Sequence, residues 1–223
     1  KKFMALALSA VVALGVMTGC SSSNTTDNKE TENTETTDTA DRTQLIVGFD
    51  AEYPPYGYMD ADGNYVGFDL DLAQEVCDRN GWTLVKQPID WDTKDMELNS
   101  GSIDCIWNGF TMNGREDDYT FSVPYVDNSQ VFVVAAASGV QNKEELAGKV
   151  VAVQKDSSAL AALNDEENSD NIALRDSFAQ LIEYADYNTA FMDLEQGAVD
   201  AVAIDIGVAQ YQIAQREAGK FVM

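Results

Sequence analysis

From Gln44 onward, short apolar runs alternate with stretches that repeat apolar side chains every three or four positions. This is the strongest constraint in the chain, because alternating strand and helix implies an α/β fold with a parallel-rich sheet. Gln44–Phe49 (QLIVGF) predicts a buried strand. Tyr58–Tyr65 carries Asp62-Gly63-Asn64, a turn signal between two extended pieces. Asp69–Arg79 places Leu72, Ala73, Val76 and Cys77 on one helical face and stops at Asn80-Gly81. Trp82–Lys86 reads as a strand, Lys94–Asn99 as a short helix and Ile103–Trp107 as a strand. Ser129–Ala137 (SQVFVVAAA) is an unusually long apolar strand. The pattern then restarts with helix Lys143–Ala147, strand Val150–Val153 and a helix opening at Asp156 or Ser157. Strand Leu181–Tyr184, helix Thr189–Gln196, strand Ala198–Ile204 and helix Ile206–Gln215 follow. These two α/β units predict two lobes, residues 44–127 and 128–223, with the long strand as connector. Phe221-Val222-Met223 reads as the opening of a further strand. The expectation is therefore a chain truncated at its C-terminus, lacking part of the first lobe.

The first 43 residues follow another logic. Lys1 and Lys2 precede an apolar run, Phe3–Met17, whose fifteen residues rise only about 22 Å as a helix, short of a bilayer core of about 30 Å. Residues 1–20 read as a signal peptide ending in Val16-Met17-Thr18-Gly19-Cys20. This ending resembles a bacterial lipobox, in which Cys20 becomes lipidated. Residues 21–43 contain no large apolar side chain, so they cannot bury enough surface to offset chain entropy and read as a disordered tether. A membrane-held domain needs such reach.

Charge and composition narrow the function. The chain carries a formal charge of −24, and from Gln44 onward 32 acidic residues face 10 basic ones. A surface that negative repels phosphate backbones, so nucleic acid is not an expected partner. There is no histidine. That removes His-based triads, His-ligated zinc and the usual general base at neutral pH. Neither a metal nor another cofactor is expected.

Four motifs remain. The first is Gly48-Phe49-Asp50-Ala51-Glu52-Tyr53-Pro54-Pro55-Tyr56, in which two prolines stiffen a loop after a strand end, where α/β sheets usually bind ligands. The second joins Asp90-Trp91 to Asp104-Cys105-Ile106-Trp107-Asn108-Gly109-Phe110-Thr111, followed by Arg115. The third is Asp156-Ser157-Ser158 at a helix start, where free N–H groups favour an anion. The fourth is Asp205 after an apolar strand, which also reads as the cap of the helix behind it.

In order and separation these motifs, from Val47 to Asp205, resemble the family 3 extracellular solute-binding proteins, the amino-acid receptors of bacterial ABC importers. The resemblance implies a two-lobed periplasmic-binding-protein-like fold of type II that closes on a free amino acid. Tyr53 and Trp91 would face each other across the ligand, and Asp50 would meet a polar or cationic side chain. Asn108, Gly109 and Thr111 would bind the α-amino and carboxylate groups. Arg115 would fork onto the carboxylate, as a planar guanidinium does well. Ser157 and Ser158 would lie on the carboxylate side, and Asp205 would pair with the α-ammonium. The implied partners are a free amino acid, an ABC permease and a membrane reached through the lipid anchor, with the chain a monomer outside the cytoplasm. Two rivals stay open. One is a dehydratase on the same fold, with Glu52 or Asp50 as acid. The other is the ectodomain of a signalling protein. Cys77 and Cys105 leave a disulfide open, because sequence does not say whether their Cα atoms come close enough.

Overall fold

The computed structural model describes residues 42–223. The signal segment, Cys20 with its lipobox and nearly all of the tether lie outside the described residues. The first lobe is built on β1 (Gln44–Phe49), followed by β2 (Glu52–Tyr53), β3 (Gly57–Met59), β4 (Tyr65–Val66) and α1 (Phe68–Asn80). After these come β5 (Thr83–Pro88), α2 (Lys94–Ser100) and β6 (Cys105–Ile106). The rest comprises β7 (Gln130–Ala135), β8 (Val150–Gln154), α3 (Ser158–Leu163), α4 (Ser169–Ser177) and β9 (Gln180–Tyr184). It continues with α5 (Tyr187–Gln196), β10 (Ala201–Asp205), α6 (Ile206–Ala214) and β11 (Phe221–Val222).

The expected α/β class holds in both lobes. The first sheet has the order β5-β1-β6, with both pairings parallel. The second has the order β11-β7-β10-β8-β9, parallel from β10 to β9 and antiparallel where β7 meets β10 and β11. All five residues of β10 are buried, because both faces of this sheet are covered. Val202 and Ile204 pack with Phe191 of α5 and Val208 of α6 on one face, and Ala201 and Ala203 with Leu146, Ala159 and Leu163 on the other. A central strand buried on both faces is apolar throughout rather than alternating, which is what AVAI shows.

Several expected elements shift. Helix α1 buries Leu70, Ala73 and Cys77, while Leu72 and Val76 are only half-buried. The face is turned because the chain enters the helix under the preceding loop. Phe68 N–H donates to Pro55 O at 2.9 Å and Asp69 N–H to Tyr56 O at 3.0 Å. Gly67, which precedes the helix, has φ 138°, and a Cβ there would run into the Tyr56 carbonyl. This joint anchors the Tyr53–Tyr56 loop. The expected helix at Lys143–Ala147 is a 3-10 turn, Lys143–Leu146, and α4 was not anticipated. None of the residues of α4 is buried, so its sequence carries no strong apolar stripe. The long strand is not the connector. β7 is hydrogen-bonded into the second sheet along Gln130–Ala135, and residues 107–129, free of helix and strand, make the crossing. Cys77 and Cys105 are free thiols.

Asp69 lies in the first turn of α1 and is fully buried. Its carboxylate oxygens lack a partner at ordinary bonding distance. The helix N-terminus favours the ionised form, but burial outweighs it. Burial pushes the pKa up to about 6, against a smaller downward pull from the Tyr125 hydroxyl and the Gly109 N–H. With the folded value above the unfolded one, this carboxyl favours folding most below pH 4, and the contribution is lost as pH rises through 6. A two-unit shift corresponds to roughly 3 kcal/mol. Asp69→Asn should therefore raise the urea midpoint at pH 7.5 relative to the parent chain and raise it far less at pH 4.5. Equal midpoint changes at both pH values would refute the assignment.

Candidate functional site

Nine of the ten expected ligand residues meet around one small cavity. Tyr53, Trp91, Asn108, Gly109, Thr111, Arg115, Ser157, Ser158 and Asp205 line it, together with Phe110. Eight of the nine sit near the end of an element: Tyr53 in β2, Trp91 just before α2, Asn108–Thr111 after β6, Ser157 and Ser158 at the start of α3, and Asp205 at the end of β10, while Arg115 lies in the crossing segment. The cavity measures about 10 Å³, roughly what one water needs. In this closed arrangement the side chains occupy one another's bonding positions. A larger groove of about 540 Å³ runs along β6, but it contains neither Arg115 nor Asp205.

Arg115 occupies a turn in the crossing segment, where its own N–H donates to Met112 O at 2.9 Å. Its guanidinium stacks over the Phe110 ring at 4.7 Å. Nη1 donates to Thr111 O and Nη2 to Asp156 O, each at 3.0 Å, so it spans both lobes. Opposite, Asp205 holds the N-cap position of α6 without bonding the helix. The capping reading is therefore not what its side chain does. Its carboxylate accepts from Gln130 Nε2 at 2.6 Å and Ser158 Oγ at 3.2 Å, and from Asn128 Nδ2 and the Tyr53 hydroxyl. Burial, with the Asp205 charge beside it, holds the Tyr53 phenol well above its usual pKa, so it stays a donor.

The serines divide their work. Ser157, not Asp156, caps α3, accepting from Leu160 N–H at 3.2 Å. The Ser158 hydroxyl lies with Thr111 Oγ1, at 3.3 Å, and Asp205 rather than beside Arg115. Gly109 adopts φ 55°, a left-handed conformation open to glycine, with the Tyr56 ring against its Cα and its N–H donating to Tyr125 OH at 3.2 Å. The indole of Trp91 donates to Asp156 O at 3.3 Å and meets Phe110 edge-on at 5.3 Å.

Asp50 is the one expected residue off the cavity wall. It is buried behind Tyr53, where its carboxylate accepts from Glu52 N–H and, across the lobes, from Gln154 Nε2, each at 2.8 Å. Asn108 Oδ1 accepts from the Asp50 N–H at 2.9 Å and fixes the loop. Burial pushes the Asp50 pKa up to about 6, although these two hydrogen bonds lower it and nearby Glu52 and Asp186 add to the rise. Sequence reasoning missed Asn128, Gln130 and Gln154 entirely. A scattered amide has no pattern of its own, and only Gln130, polar in an otherwise apolar strand, offered a signal.

The sequence profile of the bacterial extracellular solute-binding proteins, family 3, matches residues 45–169. The L-cystine-binding protein TcyJ of Escherichia coli K12 is 28% identical over 202 residues, covering 89% of this chain and 71% of that protein. The arginine-binding extracellular protein ArtP of Bacillus subtilis is 30% identical over 155 residues, covering 69% of this chain and 56% of ArtP. Among solved structures, an ABC uptake transporter substrate-binding protein from Streptococcus pneumoniae with bound histidine superposes with a TM-score of 0.75 at 34% identity. That match covers 80% of this chain and 72% of the other. An ancestral arginine-binding protein bound to glutamine gives a TM-score of 0.72 at 31% identity, covering 81% and 77%. The chain belongs to the bacterial extracellular solute-binding proteins of family 3.

Proposed function

We propose that this protein is the substrate-binding receptor of an amino-acid ABC importer, closing two lobes on a free amino acid with a polar side chain and handing it to a membrane permease. The observation that carries this reading is the pair of opposite charges, Arg115 and Asp205, on the wall of one cleft. A ligand carboxylate would take the two guanidinium donors now on Thr111 O and Asp156 O. A ligand ammonium would replace neutral donors on Asp205. Asn108, Gly109 and Thr111 would add bonds to these groups. Trp91 and Tyr53 would cover the aliphatic part, and Ser157 and Ser158 would close it from the second lobe.

The lobes divide at residues 127 and 128 in this reading, and the chain bends near Tyr125–Asn128. The protein acts as a monomer outside the cytoplasm, held by lipid on Cys20 with residues 21–43 as tether. The related proteins named for cystine, arginine and histidine support an amino-acid ligand. Capture needs no covalent step, since a micromolar dissociation constant is about −8 kcal/mol. About ten ligand heavy atoms at no more than about −1.5 kcal/mol each suffice.

A thermal-shift panel of the twenty amino acids and cystine should show stabilisation by a small polar subset. Arg115→Ala should weaken that ligand by about 100-fold or more, as removing one partner of a buried charge pair does. Retained affinity would discard the arginine, and a panel without any shift would discard the receptor.

Asp50 supplies a second, independent expectation. If it faces a cationic ligand side chain, affinity should rise with pH up to about 6, where the carboxyl ionises, by at most about tenfold per unit. Asp50→Asn should flatten that dependence in calorimetric titrations from pH 4.5 to 8. An unchanged slope in the variant would take Asp50 out of the subsite.

A further inference from the structure

Beside the ligand-facing cavity, a second set of contacts joins the lobes. The first lobe presents Asp92 and Lys94 at the entry to α2, and the second presents Lys155 and Asp156 directly after β8. Lys155 Nζ meets Asp92 Oδ2 at 2.7 Å, and Lys94 pairs with Asp156. Each lobe thus contributes one cation and one anion, in crossed order. The pairs differ in environment. The Lys155 and Asp92 side chains are 54% and 44% exposed; in the other pair Asp156 is 49% exposed but Lys94 only 3%, its ammonium over the Trp91 ring at 5.2 Å. Asp156 has φ 57°, the one positive value at a non-glycine among the described residues. That conformation turns its carbonyl to accept from both Trp91 and Arg115 while its carboxylate reaches Lys94. Strained backbone of this kind persists only where surrounding contacts hold it.

We propose that Asp92, Lys94, Lys155 and Asp156 form an electrostatic latch that holds the cleft closed without ligand, and that the Lys94–Asp156 pair, whose lysine is buried, dominates it. A lysine buried at the interface with its anion on the opposite lobe couples its own desolvation to closure, because opening separates the pair and hydrates the ammonium. Removing one partner of a buried pair is strongly unfavourable, while replacing both by uncharged groups is far less so. The exposed Lys155–Asp92 pair contributes little and is screened by salt. Since the closed state contacts ligand from both sides, a larger closed fraction raises apparent affinity in proportion. The latch presumes the two moving lobes of the proposed function but acts in the absence of ligand.

Small-angle scattering on the full chain, stripped of solutes by unfolding and refolding in amino-acid-free buffer, tests this. Asp156→Asn suits the site because Asn tolerates a left-handed backbone. It should shift the closed-to-open ratio by about tenfold or more toward open, seen as a larger radius of gyration than the parent chain. Asp92→Asn should shift it by no more than about fivefold. The double variant Lys94→Met/Asp156→Asn should be more compact than Asp156→Asn alone, a recovery that a merely structural role for Asp156 would not produce. Asp156→Gly keeps the backbone conformation and should repeat the opening if the Asn variant misfolds by circular dichroism. An unchanged radius in folded Asp156→Asn or Asp156→Gly overturns the latch, as does a double variant as open as the single one. Because no ligand is present, a chain that binds no amino acid yet opens on Asp156→Asn loses the receptor reading and keeps the latch.

Discussion

Burying a carboxylate with no cation hydrogen-bonded to it is costly unless its lone pairs find other donors. Asp205, 3% exposed, meets that requirement with neutral groups alone among the described residues. Tyr53 reaches it from the first lobe, Asn128 from the crossing segment, Gln130 from β7 and Ser158 from α3. Three separate stretches of chain, around Tyr53, Asn128–Gln130 and Ser158, must converge for this one carboxylate to be tolerated. The packing beneath it follows the same demand. The five buried residues of β10 bring the carboxylate to the rim of the second sheet, and the joint between Gly67 and the Tyr56 carbonyl keeps the tyrosine loop in reach.

Much of this was legible from residue pattern, and the failures have physical causes. β1, β8, β9 and β10 were visible because apolar, largely β-branched runs between polar stretches do not fit anything else. The apolar face of α1 was misread because Leu70 and Leu72 offer two equally periodic choices, and tertiary contact with the preceding loop decides between them. β7 was overextended at both ends, since Ala136 and Ala137 look like strand but fold into a 3-10 turn before Gly139. Nine of the ten residues that the motifs single out line one cavity. What stayed hidden was the set of bonds between lobes: Gln154 on Asp50, Gln130 and Asn128 on Asp205, and the crossed ion pairs. These depend on which strand ends face one another, information that no local spacing carries.

Charge distribution adds a further level. From Gln44 onward ten basic residues stand against thirty-two acidic ones, yet Lys94, Arg115 and Lys155 all make contacts that join the two lobes across the cleft. A field this negative would repel a ligand carboxylate at long range. Short-range cations held by aromatic rings, Lys94 over Trp91 and Arg115 over Phe110, supply a local reversal. Rigid placement of few cations serves selectivity better than many mobile ones, since a fixed guanidinium fork matches a planar carboxylate and little else.

Asp156 is where the two electrostatic systems meet. Its carbonyl receives one of the two guanidinium bonds of Arg115, and its carboxylate receives Lys94. A carboxylate bound at Arg115 would exchange a bond between lobes for a bond to ligand, leaving the Lys94 pair to join the lobes once they close on it. Ligand contact and lobe contact then compete for the same guanidinium but not for the same ammonium. A cleft built this way can re-form the Lys94 contact when it closes again on a ligand, which the present cavity of about 10 Å³ is too small to hold. That requires the backbone at Asp156 to be held by something other than Arg115, and the buried lysine provides it.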